Sequence, residues 1–346
     1  MANITLIAEK AGVSIATVSR TLRNTNRLTT SNQRRIVEIA KRMGYDFECR
    51  SSNTEVKTRQ IVFLSCVNTL SPEAFYSGDT YMPVVNGITR IINRYGYNLV
   101  VANVDLDENP PPCLLRKNID GVIFHGALSE KFMTRYVRNF HHVGIQHLNP
   151  NFDCNWVKLD NENLGYQVVK RLYQQGHRRI GFIADYIEDD VTQERYNGYL
   201  KAMRNCGIEP DPAWSAIWQR QRINGVLPKE ATVPDYCARI REIITRPTPP
   251  TAFYCTDTVK SEATRNALQA IDMKVPEDVS IVTVCNDFSI QNPEFIWTAV
   301  NDRFPDICSQ AAQLLMDTIN GKVVENVTML LRPGWHDGHT LAPIKA

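Results

Sequence analysis

The residue types best suited to a chemical task lie between Gly12 and Arg20, where the chain reads GVSIATVSR. Ser14 is a suitable N-cap, and Val18 and Leu22, four residues apart, give one face of a helix apolar groups to bury. The other face carries hydroxyls that suit phosphate oxygens, a guanidinium that suits guanine and apolar groups that suit thymine methyls. These outward residues are Ile15, Ala16, Thr17, Ser19 and Arg20. They predict a helix that enters the major groove of DNA.

Two further helices are predicted to position this one. The first, for which Asn3 is available as a cap, has apolar residues at helical spacing: Ile4, Ile7, Ala8 and Ala11. Gly12 and Val13 make the turn that follows it. The third helix ends at Gly44 and shows the same spacing at Ile36, Ile39, Ala40 and Met43. Together the three helices predict helix-turn-helix geometry.

Charge is distributed unevenly along the chain. Residues 1–60 hold 11 Lys and Arg against five Asp and Glu, a balance of +6, whereas the remainder holds 28 against 32, a balance of −4. A basic head on a mildly acidic body is typical of a phosphate-binding module joined to a separate domain.

From Gln60 onward, apolar strand-like runs alternate with amphipathic helices. Strands are predicted at 61–67, 98–104, 120–126, 142–148, 179–185, 251–257 and 279–285. Helices are predicted at 84–95, 162–175, 193–206, 238–245, 260–271 and 304–319. This alternation predicts parallel sheets covered on both faces, and the series divides near residue 160 into two similar halves. Such halves form ligand crevices at the carboxyl ends of their strands.

Composition limits the classes of protein that this chain can belong to. With 346 residues, 43% hydrophobic and 22% charged, it is typical of a soluble protein of two or three domains. No apolar run is long enough for a membrane span, and Glu9 and Lys10 interrupt any secretory leader. Nine scattered cysteines without CxxC spacing predict reduced thiols. No GxGxxG follows the first strand and no GxxxxGK[ST] occurs, so a nucleotide-phosphate site is not supported.

Six motifs resemble the lac repressor (LacI) family of bacterial regulators. They are AGVSIATVSR (11–20), RRIVEIAKRMGY (34–45), QQGHRRIGFIAD (174–185), ERYNGYLKAM (194–203), TAFYCTD (251–257) and VPEDVSIVTVCND (275–287). The resemblance covers essentially the whole chain. It implies a small all-α helix-turn-helix head, followed by a two-lobed α/β core with parallel sheets, like that of periplasmic sugar-binding proteins.

The resemblance also implies a division into parts. A helix-turn-helix domain is expected at 1–46, a hinge at 47–59 and an effector-binding and dimerisation domain at 60–346. In this last domain the N-lobe is expected at about 60–160 and 288–321, and the C-lobe at about 161–287 and 322–346. The expected protein is a cytoplasmic homodimer, a repressor that binds a near-palindromic DNA operator and a small effector, with no cofactor, metal or membrane. The C-terminus has no leucine heptad, so we expect no tetramer tail.

In the head, Ile15 and Ala16 match the positions that discriminate operators in the family, and Arg20 is suited to guanine. Phosphate contacts are expected from Thr5, Thr17, Ser19 and Asn24. The family's hinge helix inserts a leucine into the minor groove, and Thr54 occupies that position here. Because residues 48–56 are rich in Ser, Asn and Thr, we expect a weak hinge that bends DNA less. The alternative is that Val56 takes the wedge role.

In the cleft, Arg195 matches the family's ligand-binding arginine and Asp257 its strand-ending acid. Arg195 has the alternative of a surface ion pair, and Asp257 that of a helix cap. Further candidates, for stacking or at strand ends, are Phe75, Tyr76, Tyr81, His125 and either Trp214 or Trp218. Where the family carries Gly-Tyr/Phe-Asp-Asp, this chain has TVCND (283–287), so the contact there falls to Asn286, Cys285 or Asp287. The expected effector is a sugar or sugar derivative, with a purine-like co-repressor as the alternative.

Two other function classes fit less well. A secreted sugar-binding protein without a regulatory role would have a leader and no basic head. An enzyme would need a convergent set such as Asp160, His177 and Asp185, but His177 lies in the GHRRI turn, where packing or capping is expected. His336, Asp337 and His339 have metal-ligand types, but a Gly-flanked loop of this kind is more often a turn. The sequence therefore predicts a regulator and no enzyme.

Overall fold

The computed structural model divides into two compact units, Met1–Thr58 and Arg59–Ala346. It describes residues 4–23, 30–43, 58–66, 78–104, 109–116, 118–126, 128–149, 151–187, 189–218, 233–285, 295–322 and 326–344.

The described part of the first unit contains three helices: α1 (Ile4–Ala11), α2 (Ile15–Arg23) and α3 (Ser31–Arg42). Gly12 turns the chain between α1 and α2 at φ 64°, where a residue with a Cβ would be strained. The buried faces of the helices meet in one core, which consists of Ile7, Ala8, Ala11, Val18, Ile36 and Ala40. The predicted helical head is confirmed, while Asn3 and Gly44 lie outside the described residues.

The N-terminus of α3 is fixed by a reciprocal pair of hydrogen bonds. The hydroxyl of Thr30 accepts from the N–H of Gln33 at 3.3 Å, and the Gln33 side chain accepts from the Thr30 N–H at 3.1 Å. We expect Thr30→Ala to destabilise the head by about 1 kcal/mol, because the Gln33 N–H loses its partner. Faster hydrogen exchange at the α3 amides of the full chain would show this. The control is Glu38→Ala, which removes an exposed ion pair with Arg42; equal exchange in the two variants would contradict the prediction.

The N-lobe of the second unit is built on a parallel sheet. Its described strands are β1 (Gln60–Cys66), β2 (Asn98–Val104), β3 (Gly121–His125), β4 (His141–Ile145), β5 (Asn155–Leu159) and β11 (Thr328–Leu331). They lie in the order β11-β5-β4-β3-β1-β2. All residues of β5 and nearly all of β3 are buried, as expected for a parallel sheet covered on both faces.

The C-lobe has a second sheet. Its described strands are β6 (Ile180–Tyr186), β7 (Ala216–Trp218), β8 (Ala252–Cys255), β9 (Ser280–Cys285), β10 (Ala299–Asn301) and β12 (Gly334–His336). They lie in the order β12-β10-β9-β8-β6-β7, and β12 runs antiparallel to β10 whereas the other pairs are parallel. The predicted fold class is confirmed.

Helices cover both sheets. Their bounds are α4 (Gly78–Ile92), α5 (Pro112–Arg116), α6 (Glu130–Phe132), continued by a π-helical turn (Met133–Val137), α7 (Asn161–Gln174), α8 (Asp190–Asn205), α9 (Val233–Ile244), α10 (Thr258–Gln269) and α11 (Phe304–Ile319). Two 3₁₀ turns lie at Asn93–Tyr95 and Pro212–Trp214. α4 packs on α11, α7 on α8 and α9 on α10. The described helices include none with the length and apolar character that a membrane span requires.

Over the described residues, the chain passes between the lobes three times. It enters the C-lobe at Asp160, which caps α7. It returns between β10 and α11, and it leaves the N-lobe again between β11 and β12. The last two crossings therefore lie near 302–303 and 332–333, instead of near the expected 287 and 321. The reason is strand pairing, since β10 pairs with β9 of the C-lobe and β11 with β5 of the N-lobe.

Two glycines allow α7 and α8 to cross closely. A Cβ added to Gly165 would lie 2.1 Å from the carbonyl oxygen of Arg195, and one added to Gly198 would lie 1.9 Å from that of Glu162. Backbone therefore packs directly on backbone at this crossing. As a result, the distance between α7 and α8 is fixed by backbone contact.

Candidate DNA-binding and effector sites

On the head, Ser14 holds the first turn of α2. Its Oγ accepts from the N–H of Thr17 at 3.2 Å, and the two hydroxyls lie 2.8 Å apart. Ile15 is 52% exposed, so its side chain faces solvent instead of being buried against α3. A capped helix start with an exposed apolar residue is suited to contact with a base edge.

The other predicted head residues are placed only in part. Thr5 is exposed on α1. On α2 the backbone is described but not the side chains of Ala16, Ser19 and Arg20. Asn24 and Thr54 lie outside the described residues. The DNA contacts of all these residues stay predictions.

In the second unit, charged and aromatic side chains meet at the carboxyl ends of β6, β7 and β8. The ammonium of Lys260 contacts Asp185 and lies 2.6 Å from Asp257. The hydroxyl of Tyr236 donates to Asp185 at 2.5 Å, and its ring centroid lies 4.2 Å from that of Trp218. We call these five residues the C-lobe cluster. It brings together the predicted Asp257 and Trp218 through Lys260 and Tyr236, which the sequence did not indicate, and Asp185, which was considered only for catalysis.

Lys260 is the buried centre of this cluster, with 4% of its surface exposed. Burial alone would lower the pKa of Lys260, but the charges of Asp257 and Asp185 outweigh it and raise that pKa. The two carboxylates stay 37% and 35% exposed, so they have lone pairs free to accept hydrogen bonds from a ligand hydroxyl. Asp257 also caps α10 by accepting from the Lys260 N–H at 3.0 Å, so the capping alternative is observed, while its effector contact stays a prediction.

Arg195 is buried, with 8% exposed, and so does not form the alternative surface ion pair. Its Nε donates to Asn161 Oδ1 and its Nη1 to the carbonyl of Thr256, both at 3.0 Å. Asn161 follows the first crossing between the lobes, and Thr256 follows β8. The guanidinium therefore bridges the crossing and the strand ends of the C-lobe.

Asp302 lies close to this guanidinium, at the second crossing between the lobes. Its Oδ1 accepts from the N–H of Phe304 at 3.1 Å. Burial raises the pKa of Asp302, and the charge of Arg195 acts in the opposite direction. The sequence did not indicate Asp302, because the run NDRF carries no motif that would single it out.

A second buried cation, Lys158, lies on β5, one residue before the strand ends. Its ammonium contacts Glu194 of α8, whose other oxygen accepts from Asn161 Nδ2 at 3.4 Å. Asn161 also binds Arg195. One polar network thus joins an N-lobe strand to the helix that carries the predicted effector residue.

Two histidines meet at the ends of β3 and β4. The His125 ring lies 5.0 Å from that of Phe304 and 5.3 Å from that of His147, between centroids. Burial and the nearby His147 lower the pKa of His125 to about 3, so its ring is neutral near physiological pH. A cavity of about 280 Å³ opens beside them. It is lined by Phe124, Gly126, Leu128, Met133, His147, Leu148, Asn149, Trp156 and Asp190.

Other predicted effector residues are placed less fully. Phe75, Tyr76 and Asn286 lie outside the described residues, and the side chain of Tyr81 on α4 is not described. Trp214 lies in the 3₁₀ turn before β7, where its indole N–H donates to the carbonyl of Thr248 at 3.0 Å. Trp218 is therefore the one of the two tryptophans that joins the cluster.

Metal-ligand types come together at one point among the described residues. Donor atoms of His147, Asp189 and Asp190 lie within 4.8 Å of one another, close enough to hold an ion. Lys158 and the positive N-terminal end of α8 lie next to this group and oppose a bound cation. At the C-terminal loop, Asp337 contacts Arg171 instead of forming a ligand set with the two histidines.

The residues considered for catalysis have structural partners. His177 contacts the hydroxyl of Thr251 at 3.0 Å and the carbonyl of Ala342 at 3.1 Å, and burial lowers its pKa. Asp160 caps α7 by accepting from the Asn163 N–H at 3.1 Å. The packing and capping role expected for His177 is therefore what the structure shows.

Comparison with known proteins matches both units. Residues 3–46 match the family described as "Bacterial regulatory proteins, lacI family", and residues 169–341 match "Periplasmic binding protein-like domain". The chain is 27% identical over 331 residues to the HTH-type transcriptional repressor CytR of Escherichia coli (strain K12), covering 94% of this chain and 92% of CytR. It is 24% identical over 340 residues to the HTH-type transcriptional repressor PurR of Pasteurella multocida (strain Pm70), covering 96% of each.

Solved structures show the same fold. A transcriptional regulator CelR-cellobiose complex aligns with a TM-score of 0.67 at 22% identity, covering 98% of this chain and 100% of that one. A regulatory protein of the LacI family from Chloroflexus aggregans aligns with a TM-score of 0.69 at 17% identity, covering 82% and 98%. From its helix-turn-helix head, its two-lobed core and the matches to both, this chain belongs to the LacI family of bacterial regulatory proteins.

Proposed function

We propose that this protein is a sequence-specific transcriptional repressor that binds a near-palindromic operator as a homodimer. The observation that carries the proposal is α2, which buries Val18, is capped by Ser14 and exposes Ile15. One such head covers a half-site, so a two-fold pair of heads fits a palindrome. Because the proposed partner is DNA, we place the protein in the cytoplasm.

We further propose that a small effector binds between the lobes and controls the spacing of the two heads. The polar network from Lys158 to Arg195 lies where the lobes meet, so a ligand there changes the angle between them. A ligand with no preference between two lobe arrangements would have no effect on DNA binding.

The effector that we propose is a sugar or sugar derivative. The carboxylates of the C-lobe cluster accept hydrogen bonds from hydroxyls, and the Trp218–Tyr236 pair offers a surface for a sugar ring. CelR, which shares the fold, was solved as a cellobiose complex. A flat purine-like co-repressor stacked on the same aromatic pair is the alternative.

Selection of bound sequences from a random DNA library, using the full chain, tests the DNA-binding proposal. We expect an enriched palindrome and affinity that falls steeply as salt rises. Repeating the selection with sugars and purines added identifies an effector that weakens or enables binding. Failure to enrich any sequence in all of these conditions would contradict the proposal.

Ile15→Ala is expected to change the preferred base at one position of each half-site. The exposed side chain then loses apolar contact with a base, while head stability stays within about 0.5 kcal/mol, because Ile15 is not part of the core. The same selection measures this. Leu6→Ala, which removes a 43% exposed apolar side chain from α1, is the control and should keep the original sequence. An unchanged preference in the Ile15 variant would contradict the prediction.

A further inference from the structure

Two charged contacts tie the N-lobe to the first turns of α8. Nδ1 of His147, which follows β4, lies 3.3 Å from Asp190 Oδ1 and 3.5 Å from Asp189 Oδ1. One turn further along α8, Glu194 contacts Lys158 of β5. The first contact contains a group that titrates near neutral pH, whereas the second consists of groups that stay charged there.

The carboxylates of the first contact are held in place by their own helix. Asp189 Oδ2 accepts from the Thr192 N–H at 2.9 Å, which leaves its Oδ1 for His147. The N-terminal end of α8 carries partial positive charge that stabilises both carboxylates. The His147 side chain is 14% exposed, whereas the carboxylates of Asp189 and Asp190 are 22% and 42% exposed, so water screens the contact from the carboxylate side.

The charged groups around His147 decide its titration. Burial alone would lower the pKa of His147, and Lys158 acts in the same direction, but the hydrogen bond to Asp190 and the charges of Asp189 and Asp190 raise it. The pKa of Asp190 is lowered, chiefly by its hydrogen bond to His147 against the effect of burial. Among the described residues, His125 is a further titratable neighbour, and its pKa is lowered to about 3, so it stays neutral over this range.

The sign of the pH dependence follows from these directions. When the lobes separate, His147 returns toward its ordinary pKa of 6.5. We call the arrangement in which His147 contacts Asp189 and Asp190 the closed arrangement. His147 stabilises it fully at pH values below 6.5, and this stabilisation is lost as pH rises through the raised pKa that His147 has in the closed arrangement. At the acidic end it is lost as pH falls through the lowered pKa of Asp190.

We propose that His147, Asp189 and Asp190 form a proton-operated latch between the lobes, which holds them closed while His147 is protonated and releases them when it is not. If the lobes transmit the effector signal, as proposed above, the effector response would also depend on pH. That consequence rests on the proposed function, whereas the latch itself does not.

The test measures lobe separation in the full chain without DNA or effector. Donor and acceptor fluorophores are attached through non-natural amino acids at Leu115 of the N-lobe and Gln269 of the C-lobe, both exposed, in buffer with a chelator. We expect energy transfer to change in one step as pH is raised from about 6 to about 8.5. His147→Gln should abolish the step. The control His142→Gln, at a histidine of β4 that contacts the backbone carbonyls of Phe140 and Asp153, should keep it.

Lys158→Met removes the second contact and leaves the first, so the step should remain. Its midpoint should move to higher pH, because Lys158 no longer lowers the pKa of His147. A step of equal size in the His147 variant, or no step in the unaltered chain, would overturn the proposal. Histidine NMR of the full chain supplies a second measurement, in which Asp190→Asn should lower the midpoint of the His147 resonance. An unmoved midpoint would also overturn it. None of these outcomes bears on whether the head selects an operator.

Discussion

Gly198→Ala is expected to lower the free energy of unfolding of the core by about 3 kcal/mol, which is large for one methyl group. The added carbon would lie 1.9 Å from the carbonyl oxygen of Glu162. This oxygen belongs to the backbone of α7, so it cannot move aside as a flexible side chain could. The helices α7 and α8 must therefore separate. Denaturant titration of the full chain measures this, since all five tryptophans lie in the second unit.

Gly334→Ala is the matched control for this prediction. Its added carbon would have nothing nearer than the Cβ of Asn301 at 3.8 Å, which is ordinary contact. We expect a change within about 0.5 kcal/mol. If both glycine variants unfold at the same denaturant concentration, the close crossing of α7 and α8 does not limit stability.

Arg195→Lys is expected to leave the protein folded and able to bind its operator, but to weaken the effector by about 100-fold. A lysine keeps a positive charge near the partly buried Asp302, so this carboxyl keeps a nearby cation. It cannot reproduce the planar guanidinium donors that bind Asn161 and Thr256, nor those that the proposed function assigns to the effector.

Calorimetric titration with the effector found by screening measures the loss in this variant. The control is Arg204→Lys, at an exposed arginine on the same helix, which should bind effector as the unaltered chain does. Operator affinity without effector should be unchanged in both variants. Unaltered effector affinity in the Arg195 variant would remove this residue from the proposed site.

Much of the fold could be predicted, because long apolar runs and helical spacing reflect burial directly. The predicted strand at 98–104 and the predicted helix at 304–319 coincide with β2 and α11. The strand β5 was not predicted, because Lys158 interrupts its apolar run and a buried lysine is not expected unless its partner is known. β7, β10 and β12 have three residues each, too few for a period to show.

The candidate effector site was predictable where a motif marked a residue and not where partners come from distant segments. Arg195 and Asp257 were found through the motifs around them. Lys260 looks like an ordinary helix lysine until the fold brings Asp185, 75 residues earlier, to its ammonium. The strand-ending Asp185 was noted only as a possible catalyst, since nothing local indicates its cation.

The order in which the chain is synthesised gives the lobe crossings a further consequence. α11 and β11 complete the N-lobe, but a ribosome adds them only after nearly all of the C-lobe. Until then the apolar side of the N-lobe sheet that α11 covers stays open to solvent, and the edge of β5 has no neighbour. The emerging N-lobe thus keeps apolar surface exposed until late in translation, and neither complete lobe can be expressed as one continuous fragment.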